Sequence, residues 1–276
     1  MPEGHAVHRL ARLHRRRFAG APVGVSSPQG RFSDAAAVDG QVLRSTSAWG
    51  KHLFHHYAGG LVVHIHLGIY GAFTEWPLPA DGLIPAPVGQ VRMRMVGGGY
   101  GTDLRGPTVC ELLNPAQVDD VIARLGADPL RPDADPARSW SRIVKSRRAI
   151  GGLLMDQSVI AGVGNIYRSE LLFRRGIDPY RPGRTISEPE FAAAWADLVA
   201  LMKVGARRGT IVVVRPEDDH GAPSYRTGRP RTYVYRRAGE PCRLCGTAVR
   251  TAVLEGRNLF WCPRCQPSSG RTPSTR

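Results

Sequence analysis

Two cysteine pairs carry the most specific chemistry in this chain. Cys242 and Cys245, then Cys262 and Cys265, form two C-x2-C knuckles separated by sixteen residues, a spacing at which four thiolates close a tetrahedron around one zinc ion. With no coordination position left open, such a metal is structural rather than hydrolytic. The residues between the pairs suffice for a β-hairpin turning at 255–258. A turn stiffened by metal would present Arg257 as a phosphate clamp instead of a solvated surface residue. A second constellation is the stretch 158–164, containing Ala161-Gly162-Val163-Gly164, between segments of helical character at 150–157 and 165–173. Its glycines permit a tight turn with exposed amides, and Asn165 is expected to cap the second helix and open its positive dipole end to phosphate. An ordinary helical hairpin would use the same residues. Cys110 stands alone and is expected to be a small apolar core residue. His64 and His66 alternate along a strand pattern and are expected to be structural, without a metal role.

These groups need a scaffold. Residues 3–18 set Val7, Leu10, Ala11 and Phe18 near one helical face, with Arg9, Arg12, Arg15 and Arg16 largely elsewhere, the pattern of an amphipathic helix. From 42 to 73 and from 91 to 96 the period changes to two. Val91, Met93 and Met95 face one way and Arg92 and Arg94 the other, as in half-buried strands. The first half is therefore expected to be antiparallel and β-rich, with helices at its ends. A stretch rich in Pro and Asp at 128–136 follows a short helical segment at 118–125 and has the turn chemistry of a linker. Beyond it, Ser187 and Glu190 form a capping box ahead of the core stripe Phe191, Trp195, Leu198 and Met202. The expected organisation is a domain over 1–128, a linker over 129–135, a helical domain over 136–235 with a polar loop at 215–233, a zinc finger over 236–268 and a disordered tail over 269–276.

Lys plus Arg outnumber Asp plus Glu 38 to 23, a formal charge of +15. A polyanion is the partner this imbalance suits, nucleic acid first, although a solvated basic surface would give the same count. No apolar run has the length of a secretory leader or a membrane span, so the expectation is a cytoplasmic, nucleoid-associated monomer with no membrane role.

Four motifs occur in order: MPEG at 1–4, GKH at 50–52, MDQSVIAGVGNIYRSE at 155–170 and GRNLFWCPRCQ at 256–266. Together they resemble the formamidopyrimidine-DNA glycosylase and endonuclease VIII family along nearly the whole chain. The resemblance implies an α+β fold, with an N-terminal antiparallel β-sandwich and flanking helices, then a helix-two-turn-helix domain bearing a zinc-ribbon hairpin. It implies a bifunctional DNA glycosylase and AP lyase of base excision repair, acting on damaged DNA with one structural Zn2+. Removal of Met1, expected before a small residue, would leave Pro2 a secondary amine. An α-amine titrates near 7.7 to 8.0 against about 10.4 for lysine, so a larger share is nucleophilic at neutral pH. Attack on C1′ would displace the base and leave an iminium ion that draws electrons for loss of the 3′ and then the 5′ phosphate.

Glu3 matches the family acid that protonates the deoxyribose, Lys51 the lysine that assists elimination, and Arg257 the finger arginine of the later elimination. Asn165, with the adjacent Gly164, matches the phosphate-binding turn, and Arg124 a further backbone contact. Ile69 and Tyr70, in HLGIYG at 66–71, lie where the family fills the gap left by the extruded nucleotide. The oxidised-purine branch carries a wedge motif, Asp-Pro-Arg-Arg-Phe-Gly. Here Asp103-Leu104-Arg105-Gly106-Pro107-Thr108 stands instead, leaving Arg105 as a DNA contact and no aromatic to insert. The PEGHA start is closer to the endonuclease VIII branch than to the PELPE of the purine branch, which points to oxidised pyrimidines such as thymine glycol or dihydrouracil. The alternative is a protein that binds damage or single strands on this scaffold with little catalysis. Such a protein would be free to lose Pro2, Glu3 or Lys51, and this chain keeps all three.

Overall fold

The amphipathic pattern at the start of the chain forms α1, Gly4–Phe18, which buries Val7, Ala11 and Phe18. Buried with them are His5 and His14, two polar residues that the apolar pattern does not reveal. The computed structural model describes residues 2–221, 224 and 226–268; the tail expected at 269–276 and part of the 215–233 loop lie outside the described residues. The chain forms two compact units, Met1–Arg124 and Leu125–Arg276. The stretch 128–136, read as the domain boundary with a linker over 129–135, lies within the second unit. There Ala127 bridges to Ile160, and Asp128 is buried with Oδ1 accepting from the Leu130 amide.

In the first unit, period-two segments become β1 Gly24–Ser26, β2 Leu43–Trp49, β3 His52–Tyr57, β4 Val62–His66, β5 Ala72–Pro77, β6 Val91–Gly97, β7 Tyr100–Arg105 and β8 Val109–Leu113, followed by α2, Pro115–Ala123. They assemble into two four-stranded sheets, ordered β1-β6-β7-β5 and β2-β3-β4-β8, with antiparallel pairing throughout. One core joins them: Val25, Met93, Met95 and Leu104 from the first sheet pack with Leu43, Leu53, Val63 and Ile65 from the second and with α1. This is the expected antiparallel sandwich with flanking helices. One detail differs. Arg94, expected on a wet face, is 7% exposed, because Asp103 on the neighbouring strand takes its guanidinium at 2.7 and 2.9 Å and Pro85 O accepts a further N–H. Cys110 is half-buried, and burial pushes its thiol up to about 12, consistent with an inert packing residue.

The second unit contains α3 Pro136–Ile143, α4 Ile150–Leu153, α5 Asn165–Arg174 and α6 Glu188–Arg208, then the hairpin β9 Arg250–Leu254 and β10 Arg257–Trp261. The Ser187/Glu190 capping box is present, and Gly209, at φ 77°, ends α6 in the left-handed region that favours glycine. Phe191, Leu198 and Met202 enter a core with Ile150, Leu153, Val163, Tyr167 and Leu171, and Trp195 packs against its edge. A smaller cluster, formed by Phe173, Tyr233, Val234, Val249 and Phe260, surrounds the cysteine knuckles. Among the described residues no helix is long and apolar enough to cross a membrane.

Candidate functional site

In the first unit, Pro2 is half-buried and Glu3 is 1% exposed. Glu3 occupies the N-cap position of α1 with extended backbone, yet its side chain makes no capping hydrogen bond. A carboxylate so deeply buried is usually engaged with specific partners, and capping the helix is not its task here. Lys51 sits at the two-residue turn between β2 and β3, where Trp49 pairs with His52. Gly50 has φ 58°, the left-handed conformation a tight hairpin of this kind assigns to its first central residue.

Ile69 and Tyr70 follow β4 and are 50% and 85% exposed, so they are not a core pair at a strand end. Gly68 has φ 65° and a Cβ there would collide with Thr108 Oγ1, which leaves glycine as the residue that lets the loop project. Arg105 donates to Asp103 Oδ2 at 2.9 Å and to Val88 O at 2.7 Å, tying it to its own sheet and to the segment before β6. Arg124, the C-cap of α2, is exposed; its charge helps keep His52 and His64 neutral.

In the second unit the cap differs from the sequence expectation. Gly164 takes the N-cap position, with extended backbone, and Asn165 is the first helical residue. Freed from capping, the Asn165 amide donates to Asn258 O on β10 at 2.8 Å and its Oδ1 accepts from Arg168. The turn ahead of it is held by Gln157, whose Oε1 accepts from Gly162 N at 3.0 Å and whose amide reaches Val163 O at 2.9 Å. The segment of helical character expected at 150–157 yields only the four-residue α4, in which Gly151 and Gly152 admit close neighbours. A Cβ on Gly152 would collide with the Glu255 carboxylate.

The hairpin turn is shorter than expected, consisting of Glu255 and Gly256 at φ 48° and 73°, so Arg257 is the first residue of β10, paired with Leu254 and exposed. Arg148 braces that turn by donating to both oxygens of Glu255 at 3.0 and 2.6 Å and to Asp156 at 2.8 Å. Sequence reasoning missed Arg148, and it missed two further residues of this framework. Arg168, fully buried, donates to Asn258 O at 3.0 Å. Glu170, also fully buried, accepts the amides of Tyr233, Val234 and Tyr235 at 2.7 to 2.9 Å; burial raises its carboxyl pKa while those amides and Arg237 oppose the rise. The only sequence signal for Arg168 is its place one turn after Asn165.

The four cysteine sulfurs lie within 4.8 Å of one another, with Cys242–Cys265 at 3.8 Å and Cys245–Cys262 at 3.5 Å. A tetrahedron of thiolates about 2.3 Å from zinc has edges of ~3.8 Å, so the donor set and its spacing fit that ion.

These parts define a two-unit α+β protein with a sandwich at its N-terminal end and a four-cysteine finger closing a helical unit. The chain belongs to the formamidopyrimidine-DNA glycosylase and endonuclease 8 family, the DNA glycosylases of base excision repair. The model of the formamidopyrimidine-DNA glycosylase N-terminal domain matches residues 1–103, that of its H2TH domain residues 125–215, and the zinc finger found in FPG and IleRS residues 239–267. Endonuclease 8 1 of Mycobacterium tuberculosis is 74% identical over 267 residues, 96% of this chain and 100% of the relative. Probable endonuclease 8 2 of Streptomyces coelicolor is 32% identical, covering 100% of this chain and 98% of its own. Among solved structures, the MutM (Fpg) protein of Thermus thermophilus aligns with a TM-score of 0.74 at 28% identity, over 96% of this chain and 98% of that one. Lactococcus lactis Fpg, solved in complex with DNA containing an abasic site, shares the fold with a TM-score of 0.77 at 20% identity, over 96% and 100%.

Proposed function

We propose that this protein removes oxidised bases, pyrimidines foremost, from DNA and then cuts the strand through a Schiff base on the Pro2 amine. The observation that carries the reading is Glu3: a carboxylate 1% exposed, next in sequence to Pro2, that does not serve as a helix cap. With Met1 removed, the Pro2 nitrogen forms a bond to C1′ as the bond from C1′ to the base breaks and the base leaves with that electron pair and a proton. Glu3 protonates the ring oxygen of the deoxyribose as the sugar opens, giving an iminium ion. Loss of a proton from C2′ then expels the 3′ phosphate, and a second elimination expels the 5′ phosphate. Lys51 assists the first elimination and Arg257 the second.

DNA is held by Asn165 and Gly164 at the start of α5, by Arg257 on the finger, and by Arg124 and Arg105 on the first unit, with Ile69 and Tyr70 filling the space of the extruded nucleotide. The formal charge of +15 suits this partner, and binding is expected to weaken steeply with salt. Zinc on Cys242, Cys245, Cys262 and Cys265 would neutralise and orient four thiolates, holding the hairpin that presents Arg257.

The test is borohydride trapping on duplexes containing an abasic site, thymine glycol, dihydrouracil or 8-oxoguanine, with the N-terminus verified by mass. The trapped adduct is expected with the abasic and pyrimidine substrates, and to fall about 100-fold or more in Pro2→Gly and Glu3→Gln. Absence of any adduct, even on the abasic site, would reduce the protein to a DNA binder.

A further inference from the structure

Sheet β2-β3-β4-β8 carries a line of side chains that the proposed chemistry does not use. Oε1 of Glu111 on β8 lies 2.8 Å from Nδ1 of His64 on β4, and Nε2 of His64 lies 2.8 Å from Nδ1 of His52 on β3. The His64 ring is stacked against His52 at 5.1 Å and against Phe54 at 5.0 Å. His52 directly follows Lys51 and, through its pairing with Trp49, closes the turn that carries the lysine. The His66 ring lies 4.9 Å from His52, and its Nδ1 accepts from the Gly68 amide at 3.2 Å, at the root of the loop bearing Ile69 and Tyr70.

The proton pattern along this line follows from the donor inventory. An ionised carboxylate only accepts, so Nδ1 of His64 carries hydrogen. Neutral His64 then offers Nε2 as an acceptor, and Nδ1 of His52 must donate to it. One carboxylate thereby selects the tautomer and orientation of two successive rings, as the outer partners of metal-bound and catalytic histidines do. The line requires His64 to be neutral, since a proton on its Nε2 would face the Nδ1–H of His52, donor against donor, whereas a second proton on His52 would sit on Nε2, outside the line. Burial lowers both rings, His52 to about 3; at His52 the neighbouring His64 and His66 and then the charges of Arg124 and Lys51 act in the same direction, while at His64 Glu111 opposes the shift and Arg124 adds to it.

We propose that Glu111 and His64 are positioning residues for Lys51, acting through His52, whose ring they lock so that the β2–β3 turn presents the lysine in one orientation. The proposal rests on the assignment of Lys51 to strand elimination. It further implies that the strand register of three strands, and not the turn alone, holds the lysine.

The experiment compares wild type, Glu111→Ala, Glu111→Gln and His64→Phe in single turnovers on a preformed abasic site. Each reaction is read twice, as borohydride-trapped adduct and as cleaved strand. Glu111 is half exposed on its side chain and Phe preserves the stack, so folding is retained. Trapping is expected to stay within about twofold while strand cleavage falls roughly tenfold in Glu111→Ala and His64→Phe, with Glu111→Gln, which keeps an acceptor, in between. Imidazole nitrogen spectra at pH 6.5 should show His52 and His64 neutral with hydrogen on Nδ1 in the wild type, and a mixture of tautomers for His52 in Glu111→Ala. Unchanged cleavage in both strong variants, or hydrogen on Nε2 of His52 in the wild type, would overturn the proposal. If the wild type forms no adduct, the Pro2 reading fails. If it forms one but Lys51→Ala cleaves normally, the role given to Lys51 fails, and this proposal with it.

Discussion

The two units bury polarity with a different emphasis. The sandwich holds neutral rings: His14 is 0% exposed with Nδ1 3.0 Å from His55 Nε2, and burial drives His14 down to about 3 and His55 well below its ordinary value. The helical unit buries ionisable groups that saturate backbone. Arg168 serves the carbonyls of Gly151 and Asn258, Glu170 serves three consecutive amides, and the half-buried Arg174 holds Asp197 at 2.7 and 2.9 Å while donating to Val213 O. Strands in a sheet satisfy one another's amides and carbonyls, so buried polar side chains there mainly answer one another, His14 with His55 and Arg94 with Asp103. A unit built from short helices and turns leaves backbone groups without partners, and a charged side chain can satisfy several at once.

Metal removal should expose this contrast most strongly. Zinc-finger peptides gain about 10–16 kcal/mol of apparent binding energy on loading, far more than other single contacts in the finger supply. Chelation, or Cys262→Ala, is expected to abolish protection of the β9–β10 amides in hydrogen exchange and to weaken DNA binding, while the amides of β3 and β4 keep theirs. Equal loss in both units would mean that the sandwich depends on the finger.

Acid should act on the other side of the comparison. His14 and His52 stand near about 3 and His5 near about 4, all below the 6.5 of an unfolded histidine. Because the unfolded chain takes up the proton first, the stability these groups contribute is complete above about pH 6.5 and is lost as pH falls from there toward 3 or 4. At pH 5 a fully buried, neutral histidine such as His14 corresponds to a loss of ~2 kcal/mol. Denaturant unfolding between pH 7.5 and 5 should show the sandwich weakening, and His14→Gln should flatten the profile. A sandwich indifferent to this pH interval would remove the neutral-histidine account.

The smallest effect is expected at Glu255. Its carboxylate binds an Arg148 that is itself 46% exposed on its side chain, where an ion pair contributes about 0–1 kcal/mol, and its backbone sits at φ 48°, where glycine is at ease. Glu255→Gly should therefore change thermal stability less than Glu255→Ala, which loses the pair and keeps the strain. Both should weaken DNA binding by a few-fold if the brace orients Arg257. The reverse order of stabilities would show that the ion pair outweighs the backbone term.

Local rules carried the sequence reading a long way. The Ser187/Glu190 box, the α1 stripe, the strand alternation and each C-x2-C pair are patterns among residues a few positions apart, and each appears in the structure. Where the reading departed from the structure, a distant residue intervened. Arg94 was expected in water, but Asp103 on the next strand of the sheet draws it inside. Asn165 was expected to cap α5, but Asn258, ninety-three positions on, takes its amide, leaving the cap position to Gly164. Glu255 is seated against Gly152 of α4, a close approach that helix propensity cannot register.

What the sequence determined by itself is therefore the inventory and its order: four cysteines at metal spacing, a proline and a carboxylic acid side by side at residues 2 and 3, a lysine between Gly50 and His52, a glycine-rich stretch ahead of a helix, and a chain basic enough to suit a polyanion. Only the tertiary structure decided that Glu3 is buried without capping its helix, that Arg168 and Asn165 converge on one carbonyl of the finger, and that Glu111, His64 and His52 form one hydrogen-bonded line. The reason is physical. Metal knuckles, caps and turns are closed by neighbours in the chain. The partner of a buried polar group is set by strand register and packing between elements, where sequence separation carries no information about distance.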